Sequence, residues 1–336
     1  MCCLFGLIDY RNNLTRRQKS AIIHALAESG EERGTDATGI AYVGQNGISI
    51  YKQPKPAHRV PLRVPSYARS IIGHTRQATQ GSAKLSCNNH PFHGAAGKDS
   101  FALAHNGVIW NDLSLRRELK LPDTEVETDS YIAVQLLEQQ KALNFDSLRT
   151  MAEALRGTYT FTILDELERV WFVRGNNPLC LYEYTDHGFC LYASTKMILD
   201  SAAEKLGIQK LPHREIPIEE GEMLLMTPNG GIVRDYFKVP SLYSCSYGRP
   251  YSWGNSFEPT ELSDEYQRCI EFGRRYGVSE LEMEMLLDMG MDGMELEMAI
   301  YDEEYRHACL EEYMGYYDPE EDDYNAGFMD SAWAGA

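Results

Sequence analysis

The sequence lacks several things, and each absence narrows the reading. No apolar stretch approaches the roughly 18–20 residues that span a bilayer, so no membrane-spanning helix is expected. The apolar start, MCCLFGLI, has no basic flank and stops at Asp9, which is unlike a secretory leader. Eight cysteines in 336 residues are too few for a disulfide scaffold, and no two form a C-x-x-C pair. A reducing cytoplasm with free thiols is the expectation, and Cys180, Cys190, Cys245, Cys269 and Cys309 read as scattered packing or surface residues. No G-x-G-x-x-G, Walker loop or internal repeat occurs. Lysine is missing altogether after position 240, where 23 Asp and Glu face five Arg. The first 240 residues hold 27 charges of each sign, so the whole net charge of −18 belongs to the C-terminal part. Neither part is basic enough to suggest nucleic acid or an anionic membrane as partner.

What is present reads as an α+β chain. Residues 2–9 form a buried strand, and LTRRQKSAIIHALAESGEERG a helix with Thr15 as N-cap and Gln18 at the capping-box position. GIAYVGQNGISIYK reads as a hairpin, SIIGHT and SFALAHNG as short strands, and TDSYIAVQLLEQQ and FDSLRTMAEALRG as helices. TYTFTIL, RVWFVRG, LCLYEY and GFCLYAS follow as strands whose short spacers predict antiparallel neighbours. A helix at Lys196–Leu206 and strands near Glu222–Met226 and Gly231–Tyr236 complete the pattern. The expected division is a domain at 2–240, a linker or wrapping loop at 241–262, an acidic helical extension at 263–317, and a disordered tail at 318–336. Within the extension, Ser279 and Glu282 make a second capping box.

Cys2 stands out, since packing of the first strand needs no cysteine there. It reads as a packing residue, half of a disulfide, a metal ligand, or a nucleophile at a processed terminus. Removal of Met1 would leave a thiol and a free α-amine on one residue. An α-amine titrates at about 7.7–8, so it can take the proton of its own thiol and return it to a leaving amine. CNNHPFH places Cys87, His90 and His93 at zinc-like spacing, but no fourth ligand is apparent, and no metal is expected.

Four further polar stretches each end an apolar segment: RGTDATGIA (33–41), GHTRQATQGS (73–82), NNHPF (88–92) and LAHNGVIWN (103–111), followed by ETDSY (127–131). In this order the chain, over about residues 2–235, resembles the class II glutamine amidotransferases. Their glutaminase domain is an N-terminal-nucleophile hydrolase, a four-layer αββα sandwich of two antiparallel sheets. The look is nearest to the glucosamine-6-phosphate synthase and amidophosphoribosyltransferase branch.

The resemblance implies roles residue by residue. Cys2 would attack the side-chain amide of L-glutamine. Asn106, through its side-chain amide, and Gly107, through its backbone N–H, would receive the oxyanion. Arg76 would grip the α-carboxylate, a task suited to a planar guanidinium, and Asp129 the α-ammonium. Thr79 and His90, the latter in the family's N-A-H-P, would line the pocket. Arg33 with Gly34 would hold the nucleophile strand. Taken singly, Arg76 reads equally as a surface charge, Asp129 as a helix N-cap, and Asn106-Gly107 as a turn dipeptide.

Three departures accompany the match. Cys3-Leu4 replaces the family's Gly-Ile, and Cys3 is expected to pack on the opposite strand face. Gln77 and Gln80 replace its Trp and His, which predicts a looser or differently gated seal over the site. Nothing after residue 240 resembles a synthase domain. The implied activity is glutamine hydrolysis through a Cys2 thioester without a cofactor, with ammonia passed to a synthase in trans or hydrolysis itself as the end point. The alternatives are an N-terminal-cysteine amidase on another linear amide, and a non-catalytic scaffold. LLDMGMDGMELEMAI faintly resembles a ubiquitin-associated helix pair, though Met-rich amphipathic helices are more often packing elements.

Overall fold

The computed structural model describes residues 2–240, 270–274, 276–289 and 293–315. The chain divides into two units, 1–245 and 246–336.

The first unit is α+β with two antiparallel sheets. The strands are β1 (Cys3–Ile8), β2 (Ala37–Gly44), β3 (Gly47–Gln53), β4 (Ser70–Arg76), β5 (Phe92–Ala96), β6 (Asp99–Ile109), β7 (Gly157–Asp165), β8 (Val170–Arg174), β9 (Cys180–Tyr184), β10 (Phe189–Ala193), β11 (Arg214–Glu215), β12 (Glu222–Met226) and β13 (Ile232–Tyr236). The helices are α1 (Arg16–Ser29), α2 (Asp112–Glu118), α3 (Tyr131–Gln140), α4 (Phe145–Ala154) and α5 (Lys196–Leu206). One sheet has seven strands in the order β11-β9-β10-β1-β4-β2-β3, and the other six in the order β13-β12-β8-β7-β6-β5.

Side-chain alternation along the strands builds the layers. On β1, Cys3, Phe5 and Leu7 point outward into a core with Ile22, Ile23 and Leu26 of α1 and Ile198 and Leu199 of α5. Leu4 and Ile8 point the other way, to meet Ala102 and Ala104 of β6 and Leu164 of β7 between the sheets. A third core joins the outer face of the six-stranded sheet to α3 and α4, through Phe161, Trp171, Ile132, Leu136 and Leu148. The order is therefore αββα. Both faces of β1, β4, β7, β10 and β12 are covered, which is why these strands read as continuous apolar runs.

The capping box of Thr15 and Gln18 forms at the start of α1. Asp9, where the apolar start stops, is buried in an ion pair with Lys19 of α1 (3.0 Å), and neither side chain is exposed. Asp9 also accepts the Asn13 and Leu14 N–H groups, while Lys19 donates to the Ser66 and Ala68 carbonyls. The pair locks β1 to α1 and to the approach to β4. Removing one partner of a buried pair leaves an uncompensated charge, typically costing about 3–5 kcal/mol. Lys19→Ala is expected to lower the unfolding free energy by about that amount in a urea titration.

Two expectations need correction. The strands RVWFVRG and LCLYEY are not neighbours: β8 and β9 lie in different sheets. The spacer between them crosses the sandwich and is held by polar contacts, Tyr159 N–H to Asn176 Oδ1 (3.0 Å) and Thr160 Oγ to Asn177 O (2.7 Å). Asp129 does not cap α3. Ser130 takes the N-cap position, and Asp129 Oδ2 accepts the Ile109 N–H at 2.6 Å instead. α2, β5 and β11 were not read from the sequence at all.

In the second unit, Ser279 caps the helix Glu280–Asp288 through the expected box with Glu282. The helices Gly293–Tyr301 and Glu303–Gly315 follow. Met283, Leu286, Leu296, Ile300 and Leu310 are buried, and Arg306 Nη1 donates to the Ala299 carbonyl (3.0 Å). The expected linker at 241–262 and tail at 318–336 lie outside the described residues. The six described cysteines, Cys2, Cys3, Cys87, Cys180, Cys190 and Cys309, are free thiols. Among the described residues no helix is long and apolar enough to cross a membrane.

Candidate active site

The register of β1 on β4 pairs Cys3 with Thr75, which brings Cys2 to the end of β4 beside Arg76 and Gln77. The Cys2 thiol donates to the Gln77 carbonyl at 3.4 Å, and Arg33 Nε donates to the Cys2 carbonyl at 2.9 Å. Arg33 ends a 3₁₀ turn, Gly30–Arg33. A side chain at Gly34 would overlap the Arg76 backbone, so glycine lets this turn lie against β4. Asp36 then bonds twice, its N–H to the Arg76 carbonyl (2.9 Å) and its carboxylate to the Ala78 N–H (2.8 Å). Burial pushes the Cys2 thiol up, against the pull of the terminal ammonium, the Gln77 hydrogen bond, Arg76 and Arg33. Cys3 faces the α1 side, buried, with its thiol pushed up by burial to about 11.

Arg76 is buried at the strand end. Nη1 donates to Asn89 Oδ1 (2.7 Å), and Nη2 to the carbonyls of Gln80 (2.5 Å) and Gly81 (3.1 Å). Burial lowers its pKa, opposed by negative charge at Cys2, Asp129, Asp36 and Glu127. Cys2, Arg76 and Asp129 are thus within electrostatic reach of one another. Burial raises Asp129, against its bonds to Ile109 and Ser130 and the Arg76 charge. Thr79 is half-buried on the loop after β4.

A stack of histidines joins this strand to the facing sheet. His74, two residues before Arg76, donates through Nε2 to the His105 carbonyl at 2.9 Å. His105 precedes Asn106 on β6, and its Nδ1 meets Ser130 Oγ at 2.8 Å. His90 lies 4.2 Å from the His74 ring and 6.3 Å from that of His105, centroid to centroid. Among the described residues, neither His90 nitrogen has a partner. Burial holds His74 and His105 down to about 3, and His90 well below the usual range, so all three rings are neutral.

Asn106 is buried, and its side-chain Nδ2 has no acceptor among the described residues. Its backbone carbonyl takes the Asn177 Nδ2–H at 3.0 Å, which fixes the main chain while the side-chain donor stays unused. Gly107 adopts φ 140°, and a Cβ there would overlap the Thr158 carbonyl. Its neighbour Val108 is held through its N–H by Thr158 Oγ (3.1 Å). Unpaired buried donors cost about 1–3 kcal/mol each, so one in a native protein calls for an explanation.

The C-x-x-H-x-x-H spacing does not converge. Cys87 is exposed, His93 bonds Ser100 Oγ at 3.0 Å, and His90 stacks with the other histidines. Among the described residues no three His, Cys, Asp or Glu side chains form a metal-holding group.

Residues 74–201 match the family described as a glutamine amidotransferase domain. The chain carries a class II glutamine amidotransferase domain. The glutamine–fructose-6-phosphate aminotransferase (isomerizing) of Geobacillus kaustophilus is 28% identical over 234 residues, covering 68% of this chain and 36% of the relative. That of Bacillus spizizenii is 32% identical over 183 residues, covering 52% of this chain and 29% of the relative. The chain therefore spans about a third of the length of these relatives. The solved allosteric regulatory enzyme of purine biosynthesis shares the fold, with a TM-score of 0.57 at 22% identity over 71% of this chain and 50% of that one.

Within the amidotransferase domain, four polar residues not singled out from the sequence hold the site together. Asp36 pins Ala78 at one end of the loop after β4. Glu127 accepts the Ser82 N–H (3.2 Å) and Asn88 Nδ2 (2.7 Å) at the other end. Asn89 holds Arg76, and Asn177 holds Asn106. Asp36, Asn89 and Glu127 lie inside the quoted motifs, so proximity was a usable signal. Asn177 lies in a spacer with none.

Proposed function

We propose that this domain hydrolyses L-glutamine to L-glutamate and ammonia, with Cys2 as nucleophile once Met1 has been removed. The unused, buried Asn106 Nδ2 is the observation that carries the reading. It is a fixed donor with no structural work to do, on the strand tied through His74 and His105 to the β4 end where Cys2 sits.

In the proposed sequence the Cys2 α-amine takes the thiol proton, and sulfur bonds to the glutamine amide carbon. The amide oxygen becomes an oxyanion that Asn106 Nδ2–H and the Gly107 N–H receive. The carbon–nitrogen bond breaks as the α-ammonium returns its proton, and ammonia leaves. Water then attacks the thioester, glutamate departs, and the thiol regains its proton. Arg76 and Asp129 supply opposite charges for the α-carboxylate and α-ammonium. No cofactor enters.

The test is ammonia release from L-glutamine by protein whose intact mass shows Met1 removed. Asn106→Ala is expected to lower kcat by about 10²–10³, with KM nearly unchanged, the usual consequence of losing one oxyanion donor. Processed wild-type protein that releases no ammonia would overturn the reading. The relatives' names pair glutamine with an amino acceptor. By that analogy we further propose that the ammonia passes to a separate acceptor protein in the cytoplasm, to be sought by affinity pull-down of the processed chain.

A further inference from the structure

Arg76 is oriented by a neutral partner. Asn89 is fully buried, and its two side-chain atoms work in opposite directions. Oδ1 accepts from Arg76 Nη1 at 2.7 Å, while Nδ2 donates to the carbonyls of Ala83 (2.7 Å) and Leu85 (3.4 Å). Its backbone carbonyl accepts from Lys52 Nζ at 2.5 Å. That ammonium also donates to the Pro91 carbonyl (3.1 Å) and lies 5.2 Å over the Phe92 ring. Two cations from different strands thus converge on one asparagine. The hydrogen-bond partners of both, among the described residues, are carbonyl oxygens and never a carboxylate.

Such an arrangement is unusual for a buried guanidinium, which is ordinarily paired. An amide oxygen can fix the plane of the guanidinium, but it carries no charge to cancel. An aspartate here would orient Arg76 equally well and neutralise it. Alanine, which the family's N-A-H-P has at this place, would leave Nη1 without this acceptor.

We propose that Asn89 is a positioning residue for the α-carboxylate end of the substrate: it orients the Arg76 guanidinium without bonding a carboxylate to it. The ligand class that benefits is an amide with a carboxylate on its α-carbon. An amide without that carboxylate gains nothing from the arrangement. The inference rests on Arg76 as the carboxylate's partner in the proposed function.

The experiment compares two substrates, L-glutamine and 4-aminobutanamide, which keeps the amide and the amine but lacks the α-carboxylate. Steady-state kinetics are measured for the processed wild type, Asn89→Ala and Asn89→Asp. In Asn89→Ala, KM for glutamine is expected to rise about tenfold with kcat little changed, the range for a hydrogen bond to a charged group. In Asn89→Asp the rise is expected to be larger, because the carboxylate competes for Arg76. Turnover of 4-aminobutanamide should be unchanged in both. An equal loss for both amides would mean that Asn89 only holds its loop, and overturns the proposal. So does an unchanged KM for glutamine in both variants. A wild type silent on glutamine removes this proposal together with the proposed function, whereas wild-type turnover with indifferent variants removes this proposal alone.

Discussion

Alanine at position 2 is expected to leave a folded protein that releases no ammonia from glutamine. Among the described residues, the only side-chain bond of Cys2 is the 3.4 Å contact to Gln77 O, and its packing neighbour Cys3 is unaffected. Thermal unfolding should therefore shift little. Activity should fall by more than about 10⁴-fold, as when a nucleophile is removed from other covalent hydrolases. Serine is the more informative variant. Burial raises the Cys2 thiol pKa, so the proposed mechanism needs a base for cysteine and serine alike, and serine is the harder group to deprotonate. Cys2→Ser should retain glutamine binding while losing most of kcat. The check is ammonia release together with intact mass after exposure to a glutamine-like electrophile, which should add one label to the wild type and none to Cys2→Ala. An active alanine variant would remove Cys2 from the chemistry.

Acid is expected to unfold the protein earlier than its carboxylates alone would require. His74 and His105 have folded pKa values lowered to about 3, and His90 is held well below its usual range, in each case chiefly because burial excludes the charged ring. Arg76 adds to this at His74 and His90, and Lys52 at His90. In the unfolded chain each titrates at about 6.5. Between those values the unfolded state binds protons that the native state refuses, so stability rises with pH and is lost as pH falls below about 6.5. Each ring contributes about 1.4 kcal/mol per pH unit, and three together approach about 4. Urea unfolding between pH 7 and 5 should show that slope, in a window above the ordinary titration of Asp and Glu. A flat profile would mean that the stack opens or takes up protons while folded.

Legibility from sequence followed the range of the forces involved. The central strands of both sheets could be read because two-sided burial demands unbroken apolar runs, whereas the edge strands β5 and β11 carry no such run; α1 and α5 could be read because caps are local. The capping boxes at Thr15 and Ser279 formed as read. The crossing between β8 and β9 could not be read, since a five-residue spacer serves a hairpin and a change of sheet alike. The decision lies in Asn176 and Asn177, whose partners are 17 to 71 positions away. At the site, residues that present an unusual group, such as Asn106 and Arg76, were legible through the family motifs. Residues that hold those groups were not, because Asn89 or Asp36 is unremarkable until its partner is known. Asp129 illustrates the difference: its local chemistry suits a helix cap, but the end of β6 claims its carboxylate.

The central place of β1 has a consequence for how the protein is made. β1 pairs on one side with β4 and on the other with β10, so its second edge stays open until Cys190–Ala193 have been synthesised. At roughly 5–20 residues per second, that leaves on the order of 10–40 s during translation in which the terminus is still accessible. An aminopeptidase working on Met1 has that interval before the strand is clasped between its neighbours. On the proposed function, maturation of Cys2 is in this sense a race between trimming and folding, and a slowly trimmed chain is expected to fold into a well-packed protein without the α-amine the proposal requires.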